Sequence, residues 1–210
     1  MTDGRHPARV YTIGHSTRAL DDFIALLDRE GIRRLVDVRS YPASRRHPHF
    51  NRDELAAALQ RRGIAYEHAP ALGGLRKPRR DSKNTAWRND GFRGYADHME
   101  SAEFRDAIDR LEHAAASEPT TVMCAEAVPW RCHRSLLSDA LVARGNEVVH
   151  ILDSGTSAHR LTSFARVVDR HVHYDAQQGE LFGGAAPEAS AAAAAPPPAR
   201  RPSRRAHHSH

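Results

Sequence analysis

The chain has 210 residues, 40% of them hydrophobic and 27% charged, a balance that fits one soluble α/β-sized domain with an added tail. It excludes collagen, a coiled coil and a wholly disordered chain, and no apolar run is long enough to span a bilayer, so a cytoplasmic protein with no membrane contact is expected. Net charge is +5; four arginines against Glu188 put +3 of it in residues 183–210 and leave +2 in residues 1–182, so the basicity is largely a property of the C-terminal end.

Val10–Ile13 reads as a first strand, followed by Leu20, Phe23, Ile24 and Leu27 at helical spacing and a stop at Gly31. Leu35–Val38 is a short buried strand, after which Asn51, with Glu54 three residues on, is expected to cap a helix that ends at Gly63. Ala65–His68 is a third strand. A long loop from Pro70 to Gly94 follows, then a helical pattern through Met99, Phe104, Ile108 and Leu111. Thr120–Cys124 is the fourth strand, Cys132–Arg144 a helix stopped by Gly145, and Val148–Leu152 the fifth strand. Strands alternating with helices predict a Rossmann-like three-layer α/β sandwich on a mostly parallel five-stranded sheet. The domain is expected over residues 1–176. A Pro/Ala/Arg/His-rich tail over 183–210 is expected to be disordered.

In such a sheet the ligand crevice lies beyond the carboxyl ends of the strands. The segments found there are Gly14-His15-Ser16-Thr17, Asp37-Val38-Arg39-Ser40, His68 with Gly73-Gly74, and Cys124-Ala125-Glu126 leading to Trp130-Arg131-Cys132-His133-Arg134-Ser135. Asp37 and Glu126 end two strands and are candidates to divide acid, base and nucleophile roles; His133 is a candidate general acid or base. His15, Ser16, Arg39, Arg131, Arg134 and Ser135 are candidates to hold a phosphate. Against this stands a structural reading in which Asp37 pairs with Arg39 two residues on and Ser16 is only a helix cap. Trp130 is expected to plug the space between helix and sheet.

Cys124 and Cys132 offer no disulfide framework, which fits a reducing compartment. As a pair they are candidates for a thiolate nucleophile and its resolving partner; the competing reading is a small buried residue closing a strand. Adjacent Cys132 and His133, with no second CxxC, make a poor zinc set, and there is no GxGxxG or GxxxxGK[ST], so no metal and no cofactor is expected. Arg76, Lys77, Arg79 and Arg80, with Trp87 and Phe92 behind them, suit a nucleic-acid backbone, although charge runs are mostly solvated surface.

Tyr11-Thr12-Ile13-Gly14-His15-Ser16, Val36–Ser40, Phe92-Arg93-Gly94-Tyr95 and the run Met123–Ser135 together resemble the bacterial domain-of-unknown-function 488 family over residues 10–173. The resemblance implies a Rossmann-like domain and carries no activity with it. A shorter segment within residues 177–182, Gln178-Gly179-Glu180-Leu181-Phe182, resembles a bacterial sliding-clamp-binding peptide. Gln178, Leu181 and Phe182 would make the clamp contacts, and Gly179 departs from the usual leucine. Residues, charge and resemblance together lead to an expectation of a DNA-maintenance enzyme with DNA as partner. It would act hydrolytically on damaged or modified DNA, with removal of a base at its N-glycosidic bond placed ahead of strand cleavage. Two alternatives stay open: a cysteine-dependent redox or sulfur-transfer enzyme, and a non-catalytic nucleic-acid module recruited to the clamp. No oligomeric state is implied.

Overall fold

The structure, a computed structural model, describes residues 7–176. The expected clamp peptide and the basic tail lie outside the described residues. The elements run β1 (Arg9–Gly14), α1 (Leu20–Arg29), β2 (Arg34–Asp37), α2 (Arg52–Gln60), β3 (Ala65–His68), α3 (Asp90–Met99), α4 (Ala102–Ser117), β4 (Thr120–Cys124), α5 (Arg134–Ala143), β5 (Glu147–Leu152), β6 (Gly155–Ala158), β7 (Arg166–Val168) and β8 (His171–His173). The main sheet has six strands in the order β3-β2-β4-β1-β5-β6, with β6 alone antiparallel. The fold is thus the expected Rossmann-like α/β arrangement, corrected from five strands to six. The sixth strand is short and largely exposed, so no apolar alternation announces it. β7 and β8 form a separate hairpin.

Strand side chains alternate between two apolar layers, as the two-residue period of a strand requires. Val10, Val36, Val122, Cys124 and Val148 face α3, α4 and α5, whereas Ile13, Leu35, Met123 and Ile151 face α1 and α2. Both faces of the central strands are therefore buried, which is why they read as continuous apolar runs. β1 sends its chain to the α1 side while the neighbouring β4 sends its own to the α5 side. The crevice between their carboxyl ends is the topological switch point of the sheet, the place where such folds bind ligands.

Three local expectations are corrected. The helical pattern through Met99 and Leu111 is two helices, because Ser101 accepts a hydrogen bond from the Phe104 N–H at 3.1 Å and starts a new one. Asn51 does precede α2, but its Oδ1 accepts from Ser44 N at 2.6 Å, so it ties down the preceding loop and leaves the helix uncapped by a side chain. The helix expected from Cys132 begins at Arg134, after a single 3-10 turn over Pro129–Arg131.

One buried network lies outside every pattern in the sequence. Thr12 Oγ1 lies 2.7 Å from His150 Nδ1, His150 Nε2 3.0 Å from His159 Nδ1, and His159 Nε2 2.8 Å from Asp139 Oδ1. Asp139 also accepts from Thr162 N, Thr162 Oγ1 and Tyr174 OH. One set of neutral tautomers, each donating toward Asp139, satisfies every link. Both nitrogens of both rings are thereby occupied, so the network ties β1, β5, α5 and the segment after β8 together.

Candidate active site

The loop after β4 folds back over the end of β1. His15 N donates to the Cys124 carbonyl and Ser16 N to the Ala125 carbonyl, both at 2.9 Å, extending the strand pairing past its formal end. This approach requires Gly14, since a Cβ there would lie 1.7 Å from the Glu126 carbonyl oxygen.

Two pockets open at the switch point and share Arg39, Tyr41, Ala125 and Glu126 along their common wall. The smaller, of about 270 Å³, contains Cys124, Cys132, His133 and Gly74. The larger, of about 420 Å³, runs from His15, Ser16 and Thr17 to Arg46 and His47. Tyr41, 78% exposed, and Leu75, 81% exposed, stand at the lip of the smaller one.

The two cysteines meet in the smaller pocket. Cys132 Sγ donates to Cys124 Sγ at 3.2 Å, too long for a disulfide bond and close enough to form one with a small displacement. That S–H donor holds the Cys124 thiol below its ordinary range; burial opposes the shift, and the Arg134 charge and a backbone hydrogen bond from Glu126 reinforce it. The Cys132 thiol moves the opposite way, because a proton kept between the sulfurs is its own and burial penalises its anion. The Glu126 charge works against the Cys124 anion.

Arg134 supplies an unusual electrostatic setting. It is 1% exposed, its Nη2 donates to the Glu126 and Ala127 carbonyls at 3.1 and 3.3 Å, and its Nε has no partner. No carboxylate lies within ion-pair distance of it among the described residues. A buried cation without a carboxylate is costly unless another group carries the compensating charge, and the Cys124 sulfur is the acidified group beside it.

His133 completes the cluster. Its Nδ1 lies 3.4 Å from Cys132 Sγ, and its ring sits against Gly74, where a Cβ would come within 2.7 Å of Nδ1. Burial, with the Arg134 and Arg76 charges, pushes it down to about 4, so it is neutral at pH 7 and a weak base. Its Nε2 is buried without a partner.

The expected carboxylate pair does not assemble. Asp37 is fully buried and receives Arg39 Nε and Nη2 as well as Tyr66 OH, at 2.6 to 2.8 Å. It points to the α1/α2 side of the sheet, opposite to Cys124, which seals it beneath Arg39. Arg39 also donates to the Phe50 carbonyl at 2.8 Å, so its guanidinium braces the floor of the crevice. His15 stacks on Phe50 at 4.3 Å, donates through Nδ1 to the Ser16 carbonyl and lies 3.4 Å from Arg39 Nη1. Burial pushes it down to about 4. Ser16 holds a left-handed backbone, φ 51°, at the pocket edge. Glu126 is exposed, and no hydrogen bond or ion pair engages its carboxylate among the described residues.

Other candidates stand elsewhere. Arg131 is exposed and lines neither pocket, and Ser135 lines a separate pocket with His150 and His159. Trp130, expected as a plug, is 66% exposed, because the turn at Pro129 directs it outward. Within the basic loop, Arg76 donates to the Gly73 and Pro70 carbonyls and Arg79 pairs with Glu100 at 2.5 Å. Lys77 and Arg80 are exposed. Trp87 turns inward onto Phe92, Phe164 and Tyr174, so it offers no stacking platform. Arg46, Tyr41 and Leu75 are pocket residues that sequence reading passed over; Arg46 carried a signal, lying in a polar loop after a strand. Among the described residues no group of three His, Cys, Asp or Glu is arranged to hold a metal, and no helix is long and apolar enough to cross a membrane.

Fold and site together define a Rossmann-like α/β domain with a pair of thiols at its switch point. The chain belongs to the family described as domain of unknown function DUF488, whose model matches residues 19–141. That match takes in α1 through most of α5, and with them both cysteines, His133 and Arg134. No curated protein and no solved structure matches the chain.

Proposed function

We propose that this protein is a cysteine-dependent redox or sulfur-transfer enzyme, with Cys124 as nucleophile and Cys132 as the resolving thiol. The observation that carries this reading is the 3.2 Å approach of the two sulfurs beside the buried Arg134 cation, which lacks a carboxylate partner among the described residues. Such a setting favours a thiolate at Cys124, the reactive form of the residue. Cys132 keeps its proton while Cys124 carries the negative charge, and the neutral His133 ring, with Nδ1 3.4 Å from its sulfur, holds Cys132 in position. The hydrolytic reading on DNA has less support, since Asp37 is committed to Arg39 and Tyr66 and only Glu126 remains as a carboxylate at the mouth.

The test is the rate of iodoacetamide labelling of each cysteine as a function of pH, read by mass spectrometry of peptides. Cys124 is expected to label with a midpoint well below that of an ordinary thiol and Cys132 above it. Equal labelling of both sulfurs at the ordinary thiol midpoint, or no labelling of Cys124 in the folded protein, overturns the proposal.

A further inference from the structure

The larger pocket gives a reason to assign a substrate class to the thiol site, an inference that rests on the reading just given. Its charged lining consists of Arg39, Arg46 and Glu126, together with His15 and His47. Arg39 is committed to Asp37, and burial keeps His15 neutral. Arg46 and Glu126 remain, with His47 beside Arg46 in the chain. Both are exposed, and among the described residues neither the Arg46 guanidinium nor the Glu126 carboxylate makes a hydrogen bond or ion pair, with each other or with anything else. Two opposite charges thus line one pocket without meeting across it. Glu126 stands on the wall shared with the cysteine pocket, while Arg46 belongs to the larger pocket alone.

We infer that the site takes a small zwitterionic disulfide derived from an amino acid or short peptide, with its sulfurs at Cys124, an ammonium group at Glu126 and a carboxylate at Arg46. A disulfide suits the small arm because the thiols there are paired and their pocket, at about 270 Å³, holds a compact group. The Glu126 charge, which opposes the nearby thiolate, gains a purpose when a substrate cation covers it.

The steps balance. The Cys124 thiolate attacks one sulfur of the substrate RS–SR, forming Cys124–S–SR and releasing RS⁻. The released RS⁻ takes up the Cys132 proton, the Cys132 sulfur attacks Cys124 Sγ, and a second RS⁻ departs. The substrate disulfide is reduced to two thiols as the protein dithiol becomes a disulfide.

The experiment uses the full chain with Cys132→Ser, which stops the reaction at the mixed disulfide, and reads adduct formation by intact mass at pH 7. Four disulfides are compared: cystine (zwitterion), cystamine (cation), 3,3′-dithiodipropionate (anion) and bis(2-hydroxyethyl) disulfide (neutral). Each rate is divided by that with a small reference thiol, which removes leaving-group differences. Cystine is expected to react about tenfold faster than any of the other three. Arg46→Ala should slow cystine and dithiodipropionate only, and Glu126→Gln cystine and cystamine only. Equal normalised rates, or a fastest rate with a singly charged disulfide, overturn the substrate class while leaving the thiol reading intact, provided Cys124 still labels with iodoacetamide. Failure of that labelling overturns both.

Discussion

Arg39 and Arg134 show how one side-chain type serves two ends in a single site. Arg39 is paired within its own strand end and holds the crevice floor; Arg134 is buried beside the thiols with only carbonyls as acceptors. Their substitution should separate accordingly. Asp37→Asn leaves the Arg39 charge without its partner in the interior, and denaturant unfolding should show a loss of roughly 3–5 kcal/mol. A fully stable Asp37→Asn protein would instead mean that the pair is not structural. Arg134→Gln retains a hydrogen-bonding side chain and removes the charge; the Cys124 labelling midpoint should rise by about one pH unit. An unchanged midpoint would show that Arg134 does not acidify the thiol.

At the scale of elements, the site exists because the β4 loop can lie on the end of β1 and the 73–76 segment can lie on the start of α5. Each approach is admitted by one glycine. At Gly14 the obstacle to a Cβ is backbone, which cannot swing away, so Gly14→Ala should destabilise by about 3 kcal/mol and lower the melting temperature. At Gly74 the obstacle is the His133 ring, which can turn. Gly74→Ala should therefore leave stability nearly intact. Conversion of the Cys124 mixed disulfide to the Cys124–Cys132 disulfide should slow severalfold at pH 7, because the His133 ring that holds Cys132 in position is displaced. Stopped-flow measurement of the two steps checks this: a slowed first step with an unchanged second would place His133 elsewhere in the reaction.

At the scale of the molecule, the buried histidines make stability depend on pH. His15, His133 and His150 are each pushed by burial from 6.5 down to about 4. The unfolded chain takes up these protons near pH 6.5 and the folded chain only near pH 4. The unfolded state therefore binds more protons in between, and the stability these groups contribute is present above about 6.5 and lost as pH falls toward 4. The melting temperature should drop steeply from pH 6.5 to 4.5, with a proton uptake on unfolding of about three near pH 5. A flat profile across that window would mean that the rings are already charged in the folded protein.

The sequence by itself determined the alternation of strands and helices, the parallel sheet and the identity of the segments at its carboxyl end. These follow from periodicity and from the handedness of crossovers, which are local properties or general rules. The Asp37–Arg39 pair was also legible as one of two readings, since both residues lie on one short stretch. Tertiary structure alone decided that the second reading applies, because only the register of β2 in the sheet turns Asp37 toward Tyr66 and away from the mouth. The short strand β6 and the Asp139 network were illegible for a related reason. The links of the network join residues 9 to 138 apart in the chain, and no apolar period marks the short, exposed β6. The cysteines, eight residues apart, gave no CxxC signal; the 3-10 turn at Pro129–Arg131 brings them together by reversing the chain between β4 and α5, with Arg134 buried against that turn.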